Sequence, residues 1–96
     1  MTEVRQTETF RLWHLALKDR RAAARIAIRI DRMALGNAGD VKSVGDGVHE
    51  MRIDYGPGYR VYFVHRGAAL TILLCGGNKR TQSADITRAK ALARES

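Results

Sequence analysis

The residues best suited to chemistry lie on two consecutive predicted strands in the second half of the chain. Side chains alternate along a strand, so Glu50, Arg52 and Asp54 share one face of the first strand, and Arg60 and Tyr62 share one face of the second. The two sets lie on the same sheet surface only if the two residue numbers of each directly opposed pair add up to an even value. In that register the arginines can hold a phosphate bidentately and the tyrosine can stack on a base, as at an RNA backbone site. The alternative is a solvated sheet face with cross-strand ion pairs.

A second candidate site lies where the last strand gives way to a helix. The segment Gly76-Gly77-Asn78-Lys79-Arg80 combines two glycines, which let backbone amides approach a ligand, with two cations beside a helix N-terminus. It lacks the GxxxxGK[ST] spacing of a P-loop. The segment is therefore either a phosphate-contacting corner or an ordinary strand-to-helix turn with exposed cations.

A third cluster is a stripe of arginines along the second predicted helix. Its members, spaced by four, four and three residues, are Arg21, Arg25, Arg29 and Arg32. Such spacing places them along one side of the helix. The stripe can bind nucleic acid or an acidic partner segment, although a solvated face is the commoner explanation of this pattern.

Metal and cofactor chemistry is not indicated by the remaining reactive side chains. The three histidines lack the spacing of a metal-ligating pair, and the single cysteine, Cys75, has no partner. We therefore expect neither a metal nor a cofactor.

The charge of the chain predicts an anionic partner. Seventeen Lys and Arg stand against ten Asp and Glu, a formal net charge of +7. Residues 1–51 contain nine basic and seven acidic side chains, whereas residues 52–96 contain eight and three, and no acid lies between Asp54 and Asp85. Such an excess attracts nucleic acid, acidic proteins or membrane surfaces. It points to the second half as the anion-binding half.

Composition excludes several classes of protein. The longest apolar run, residues 68–75, is too short to span a membrane, and the N-terminus lacks an apolar signal core. A lone cysteine cannot form an internal disulfide and is typical of a reduced compartment. We expect one cytoplasmic domain over residues 1–96, without a membrane partner.

The periodicity predicts the element order β-α-α-β-β-β-β-α. A short strand covers residues 2–7, and a helix follows from Thr7, with Thr7 or Thr9 as its N-cap. A second helix covers residues 19–35 with Asp19 as its N-cap. Strands are predicted at 41–44, 48–55, 59–65 and 70–75, and a last helix follows a cap at Thr81 or Ser83. This order predicts an α+β domain with an antiparallel sheet and helices packed on one face.

Three segments, in this order, resemble the RelE/ParE superfamily of bacterial toxins. They are Val48-His-Glu-Met-Arg-Ile, Gly58-Tyr-Arg-Val-Tyr-Phe and Leu73-Leu-Cys-Gly-Gly-Asn-Lys-Arg-Thr-Gln. The likeness is greatest to the HigB-like branch, the addiction module killer proteins, and covers nearly the whole chain. It implies a RelE-like fold, in which an N-terminal helical hairpin packs on a curved antiparallel sheet with a short C-terminal helix. It also implies a cytoplasmic toxin neutralised by a helix-turn-helix antitoxin from the same operon.

The resemblance further implies a ribosome-dependent endoribonuclease that cuts mRNA without a metal. By motif, its basic catalytic residues correspond to Arg52, Arg60 and Lys79. The chain departs from the pattern at Glu50, where related enzymes often have a second lysine, and at Asp85, where they have a tyrosine. Either carboxylate could act as general base. The expected RNA contacts are Arg80, Tyr62, Arg25 and Arg29.

Two other functions remain open from the sequence. ParE members of the same superfamily poison DNA gyrase and cut no RNA, so the fold does not decide the chemistry. A non-catalytic module that only binds an antitoxin is the other alternative.

Overall fold

The computed structural model describes residues 1–96 and has the predicted order of elements. These are β1 (Glu3–Gln6), α1 (Glu8–Leu15), α2 (Arg20–Ala34), β2 (Val41–Gly45), β3 (Val48–Ile53), β4 (Tyr59–Arg66), β5 (Leu70–Asn78), a 3-10 turn (Lys79–Thr81) and α3 (Gln82–Glu95). One five-stranded sheet has the spatial order β1-β5-β4-β3-β2. The fold is an α+β domain with three helices.

The sheet is mixed, so the prediction of an antiparallel sheet is wrong at one edge. Strands β2 to β5 form an antiparallel meander, but β1 runs parallel to β5, with Glu3 opposite Leu70. No hairpin joins β1 to β5, and therefore no turn imposes an antiparallel direction on the pair. The chain leaves β1 at Thr7, whose hydroxyl donates to the Leu74 carbonyl at 2.6 Å while capping the N-terminus of α1.

The helices cover both faces of the sheet, which corrects the prediction of one covered face. The hairpin of α1 and α2 packs on one face, where Phe10 and Ile26 meet Met51 and Phe63. Helix α3 packs on the other face, where its Ala89 joins a second apolar cluster. That second cluster contains Val48, Tyr62, Val64, Leu74 and Cys75 from the sheet. The central strands are apolar on both sides and so need a layer on each, and α3, at fourteen residues, is not the short helix expected.

Strand β5 is longer than predicted because it includes both glycines of the segment thought to leave the sheet. Gly76 pairs with Val61 and Gly77 with Arg60. A Cβ atom at Gly76 would lie only 2.5 Å from Cδ2 of Trp13, so the indole rests directly on the strand. The glycines therefore allow α1 and α3 to approach β5 from opposite faces.

Of the two predicted caps for α1 the structure has Thr7, and the predicted cap of α2, Asp19, is confirmed. The Thr7 hydroxyl accepts from the Phe10 amide, and the Asp19 carboxylate accepts from the amides of Arg21 and Ala22. None of the helices has the length and apolar character that crossing a membrane requires.

Candidate functional site

The register of β3 and β4 brings the predicted arginines together. Arg52 lies directly opposite Arg60, and Glu50 lies directly opposite Tyr62. The sheet thus has the even register, in which all four side chains project from the face that α3 covers. The site is built at the end of this face where α3 begins.

A buried carboxylate lies at the centre of this site. Glu50 has no solvent-exposed surface. Its carboxylate accepts from Tyr62 Oη at 2.9 Å, from Gln82 Nε2 at 2.8 Å and from Arg52 Nε at 3.2 Å. Nη1 of Arg60 lies 3.9 Å from the same carboxylate, at ion-pair distance. Groups from β3, β4 and α3 therefore converge on one negative charge.

The environment keeps Glu50 ionised. Burial acts to raise the pKa of its carboxyl, but the three hydrogen bonds and the positive charge of Arg60 outweigh burial and hold the pKa below its ordinary value. Burial, followed by the bond to Glu50, strongly raises the pKa of Tyr62. The phenol therefore remains protonated and donates at any physiological pH. Glu50 serves as a fixed anion between two guanidinium groups.

The two arginines keep donors free for a ligand. The Arg60 side chain is 12% exposed, and its Nε is buried without a hydrogen-bond partner. The Arg52 side chain is 34% exposed, and its only hydrogen bond to another side chain is the one from Nε to Glu50. The exposed part of each guanidinium can donate hydrogen bonds to an anion such as a phosphate group.

The turn before α3 adds further charge at the edge of the site. Lys79 and Arg80 are exposed, and the Asn78 side chain caps the turn by accepting from the Arg80 and Thr81 amides. The β carbon of Lys79 packs beside Gly58, in the turn between β3 and β4. Both predicted cations thus lie at the end of the sheet where α3 starts.

Asp85 occupies a partly buried position on the first turn of α3. Its carboxylate accepts from the Thr81 hydroxyl. It rests on Gly77, where a Cβ atom would lie 2.7 Å from Cγ of Asp85. Gly77 pairs with Arg60, so the Asp85 carboxylate lies above the strand position opposite that arginine.

Two members of the predicted charged face are placed differently from expectation. Tyr62 was expected as an exposed aromatic that stacks on a base, but it is fully buried because α3 covers it. Asp54 is exposed and lies beyond the end of β3. The interaction of Tyr62 is therefore with Glu50 rather than with solvent or a base.

The predicted RNA contacts on α2 are separated from this site by the sheet. Nη1 of Arg29 donates to the Arg52 carbonyl at 2.6 Å, and Nη2 donates to the Ala38 carbonyl at 3.1 Å. The guanidinium of Arg25 lies over the Tyr55 ring, 4.6 Å from its centre. Both arginines belong to the helix layer on the opposite face, and Arg29 is occupied by backbone acceptors.

Sequence reasoning gave no role to the side chains of Gln82 and Asn78. Gln82 is the first residue of α3 and donates to Glu50, whereas Asn78 ends β5 and caps the following turn. The Asn-x-x-Thr spacing of residues 78–81 is a local capping signal that could have located the turn. The contact of Gln82 depends on the packing of α3 and has no local signal.

Comparison with known proteins places the chain in a family. The sequence profile described as "Phage derived protein Gp49-like (DUF891)" matches residues 13–95 and includes every residue of the site. A relative from Haemophilus influenzae (strain ATCC 51907 / DSM 11121 / KW20 / Rd), described as "Uncharacterized protein", is 53% identical over 93 residues, which are 97% of this chain and 94% of the relative. No solved structure matches the chain. The family profile covers most of the chain, and the relative covers nearly all of it. The chain therefore belongs to the Gp49-like family of phage-derived proteins, a toxin-like addiction-module family.

Proposed function

We propose that this protein is the toxin of a toxin–antitoxin pair and acts as an endoribonuclease that cleaves mRNA on the ribosome. The observation that carries the proposal is the directly opposed pair of Arg52 and Arg60 beside one buried carboxylate, which accepts from Arg52 Nε and lies 3.9 Å from Arg60 Nη1. The family supports an addiction-module role. The resemblance to HigB-like toxins supplies the ribosome and mRNA as partners.

The two arginines suit a phosphodiester better than a single neutral ligand. Guanidinium groups donate in a planar fork that matches two oxygens of a phosphate, and they stay charged at all physiological pH values. During cleavage the phosphorus passes through a five-coordinate state with added negative charge. Two cations already held in place stabilise that charge without reorganisation.

The reaction consistent with this site is internal transesterification. A base removes the proton of the 2′-hydroxyl, the 2′-oxygen bonds to phosphorus, and the bond from phosphorus to the 5′-oxygen breaks. The 5′-oxygen takes up a proton, leaving a 2′,3′-cyclic phosphate and a 5′-hydroxyl. Such chemistry requires a proton acceptor, a proton donor and charge stabilisation.

The geometry favours Asp85 over Glu50 as the proton acceptor. Glu50 has no exposed surface, and its lowered pKa weakens it as a base. Asp85 is partly exposed and lies above Gly77, opposite Arg60. We assign Lys79 to the substrate phosphate or to protonation of the 5′-oxygen, because its ammonium is exposed at the same end of the sheet.

Binding partners follow from the same proposal. A toxin requires a neutralising antitoxin, which the HigB-like resemblance gives as a helix-turn-helix protein encoded beside it. The net charge of +7 would hold the protein on ribosomal RNA. Arg80 and the exposed part of the α2 stripe, including Arg25, are suited to that contact.

A short induction experiment in growing bacteria tests the proposal against its alternatives. We expect rapid loss of mRNA, with new 5′ ends placed at a fixed position within codons. An SOS response with broken DNA and intact mRNA would indicate a gyrase poison instead. Growth without either change, in the presence of folded protein, would indicate a module that only binds.

Variants connect the outcome to the site. Arg52→Ala and Arg60→Ala should abolish mRNA loss, whereas Arg5→Ala, which removes an exposed arginine from β1, should not. Toxicity that persisted in both site variants would place the activity elsewhere.

A further inference from the structure

We propose that Glu50 is a positioning residue, which holds the guanidinium groups of Arg52 and Arg60 in the arrangement that binds one oxyanion. The inference rests on the proposed function in one respect: the oxyanion would be the scissile phosphate of RNA. Glu50 itself does not touch the substrate, since it has no exposed surface. It would act entirely through the two arginines.

The first argument is the repulsion that this register creates. Arg52 and Arg60 are directly opposed on neighbouring antiparallel strands, so their β carbons lie about 4.5–5.5 Å apart and like charges at such positions repel. An anion is needed to keep both guanidinium groups over the same patch of sheet. Before a ligand arrives, the carboxylate of Glu50 is that anion, at 3.2 Å from Arg52 Nε and 3.9 Å from Arg60 Nη1.

The second argument is that the carboxylate is itself held rigidly. Tyr62 fixes it from β4 and Gln82 from α3, at 2.9 and 2.8 Å. Both donors are neutral, so they hold the carboxylate without changing the charge of the site. Their geometry restricts the Glu50 carboxylate to one orientation. The contacts of the carboxylate with Arg52 and Arg60 then restrict the positions of the two guanidinium groups.

The third argument is the division of donors between Glu50 and the ligand side. Nε of Arg52 is taken up by Glu50, whereas Nε of Arg60 is buried and has no acceptor. The exposed parts of the two side chains, 34% of Arg52 and 12% of Arg60, are the parts that an oxyanion can reach.

Glu50→Gln tests the proposal because charge and geometry predict opposite results. The glutamine has nearly the same shape but removes the negative charge. If only net charge matters, the variant should bind an anion more tightly. If Glu50 positions the arginines, the variant should bind it more weakly, despite the gain in positive charge.

The experiment uses the full chain and inorganic phosphate as the probe. Titration is followed by NMR through the Nε–Hε signals of Arg52 and Arg60, which report the orientation and hydrogen bonding of each guanidinium. For the wild type we expect saturable binding that shifts the Arg60 signal. For Glu50→Gln we expect at least about tenfold weaker binding and faster exchange of the Arg52 Hε. Glu8→Gln, which breaks the exposed pair with Arg11 on α1, is the matched control and should bind like the wild type.

Three results would overturn the proposal. They are undiminished phosphate affinity in Glu50→Gln, unchanged Nε–Hε signals in that variant, and absence of saturable binding by the wild type. If Glu50→Gln fails to fold, Tyr62→Phe provides the second variant, because it removes one donor to Glu50 and retains all charges. We expect a smaller loss of affinity for Tyr62→Phe, and affinity equal to that of the wild type would contradict the proposal.

Cleavage assays separate this proposal from the proposed function. Wild-type protein that binds phosphate through both arginines but cuts no mRNA would refute the nuclease assignment and leave the positioning role intact. Wild-type protein that cuts mRNA, with Glu50→Gln equally active and equally able to bind phosphate, would refute the positioning role alone. In the proposed account, Glu50→Gln lowers kcat more than it raises KM, because the lost alignment matters most in the transition state.

Discussion

The neighbouring glycines at the end of β5 give a quantitative test of how the two helix layers approach the sheet. Gly76 and Gly77 face opposite sides of the same strand, and a Cβ atom on either would collide with a different group. At Gly76 the obstacle is the Trp13 indole, with Cδ2 at 2.5 Å, while ordinary contacts begin near 3.4 Å. At Gly77 the obstacle is the end of the Asp85 side chain, with Cγ at 2.7 Å, together with the Thr81 hydroxyl at 2.9 Å.

The two alanine substitutions should therefore differ in cost. The indole of Trp13 packs against Phe10 and Tyr59, so it must shift as a rigid body by roughly 1 Å, and overpacking of this kind costs about 1–3 kcal/mol. We expect Gly76→Ala to cost about 2–3 kcal/mol, which lowers Tm by roughly 10–20 °C in a domain of this size. The Asp85 carboxylate can rotate away, losing its bond from Thr81. Alanine at either position restricts the unfolded chain, which recovers about 0.4–1 kcal/mol, and because the Asp85 side chain can move, the net cost of Gly77→Ala should be only about 1 kcal/mol.

Urea denaturation of the wild type and the two variants measures both costs at constant m-value. A further variant, Trp13→Ala combined with Gly76→Ala, should be less destabilised than the two single changes predict together, because the clash is then absent. Equal costs for the two glycines would refute the packing argument. So would additive costs in the double variant.

Three further predictions concern single side chains. Burial, together with the charge of His65, lowers the pKa of His49, so the unfolded state binds a proton more readily than the folded state. The free energy of unfolding should therefore fall as the pH drops below about 6.5, and urea denaturation of His49→Gln should lack that part of the pH dependence. Burial raises the pKa of Cys75 to about 12, so an aromatic disulfide reagent should label it only after unfolding, and rapid labelling of the native protein would contradict its position. A lysine at position 29 cannot donate to both backbone carbonyls, so Arg29→Lys should lower the free energy of unfolding by about 1.5–3 kcal/mol in urea denaturation. Arg21→Lys, on the exposed side of α2, should leave it unchanged, and equal costs would show that the two hydrogen bonds of Arg29 do not stabilise the fold.

Local signals in the sequence predicted the parts of the fold that depend on nearby residues. The pattern of residues 48–55 and 59–65 identified β3 and β4, which the structure ends at Ile53 and Arg66, and Gly56 and Gly58, both at positive φ, mark the turn between them. Asp19 identified the start of α2 because an N-cap acts within one turn. Alternation also established which residues share a face of each strand, but the choice between even and odd registers needed the structure.

The features that escaped prediction depend on contacts between distant residues. The place of β1 beside β5 is fixed by pairing across more than sixty residues, for which the chain contains no local signal. Burial of Glu50 and Tyr62 was missed because an alternating charged face is typical of a solvated surface, and only the packing of α3 covers it. The arginine stripe of α2 likewise gave no sign that Arg29 alone would be held by backbone carbonyls.

The central claim is that the opposed arginines stabilise a scissile phosphate, and purified protein added to translating ribosomes tests it most directly. The assay maps the 5′ ends of a defined mRNA and compares initial cleavage rates for the wild type, Arg60→Ala and the control Arg5→Ala, each shown to be folded by circular dichroism. The account predicts fixed cuts with 5′-hydroxyl ends, unchanged rates for the control, and a rate about 10²–10³-fold lower for Arg60→Ala, equivalent to roughly 2.7–4 kcal/mol of lost stabilisation. Cleavage by folded Arg60→Ala at the wild-type rate, or no cleavage by the wild type, would contradict it.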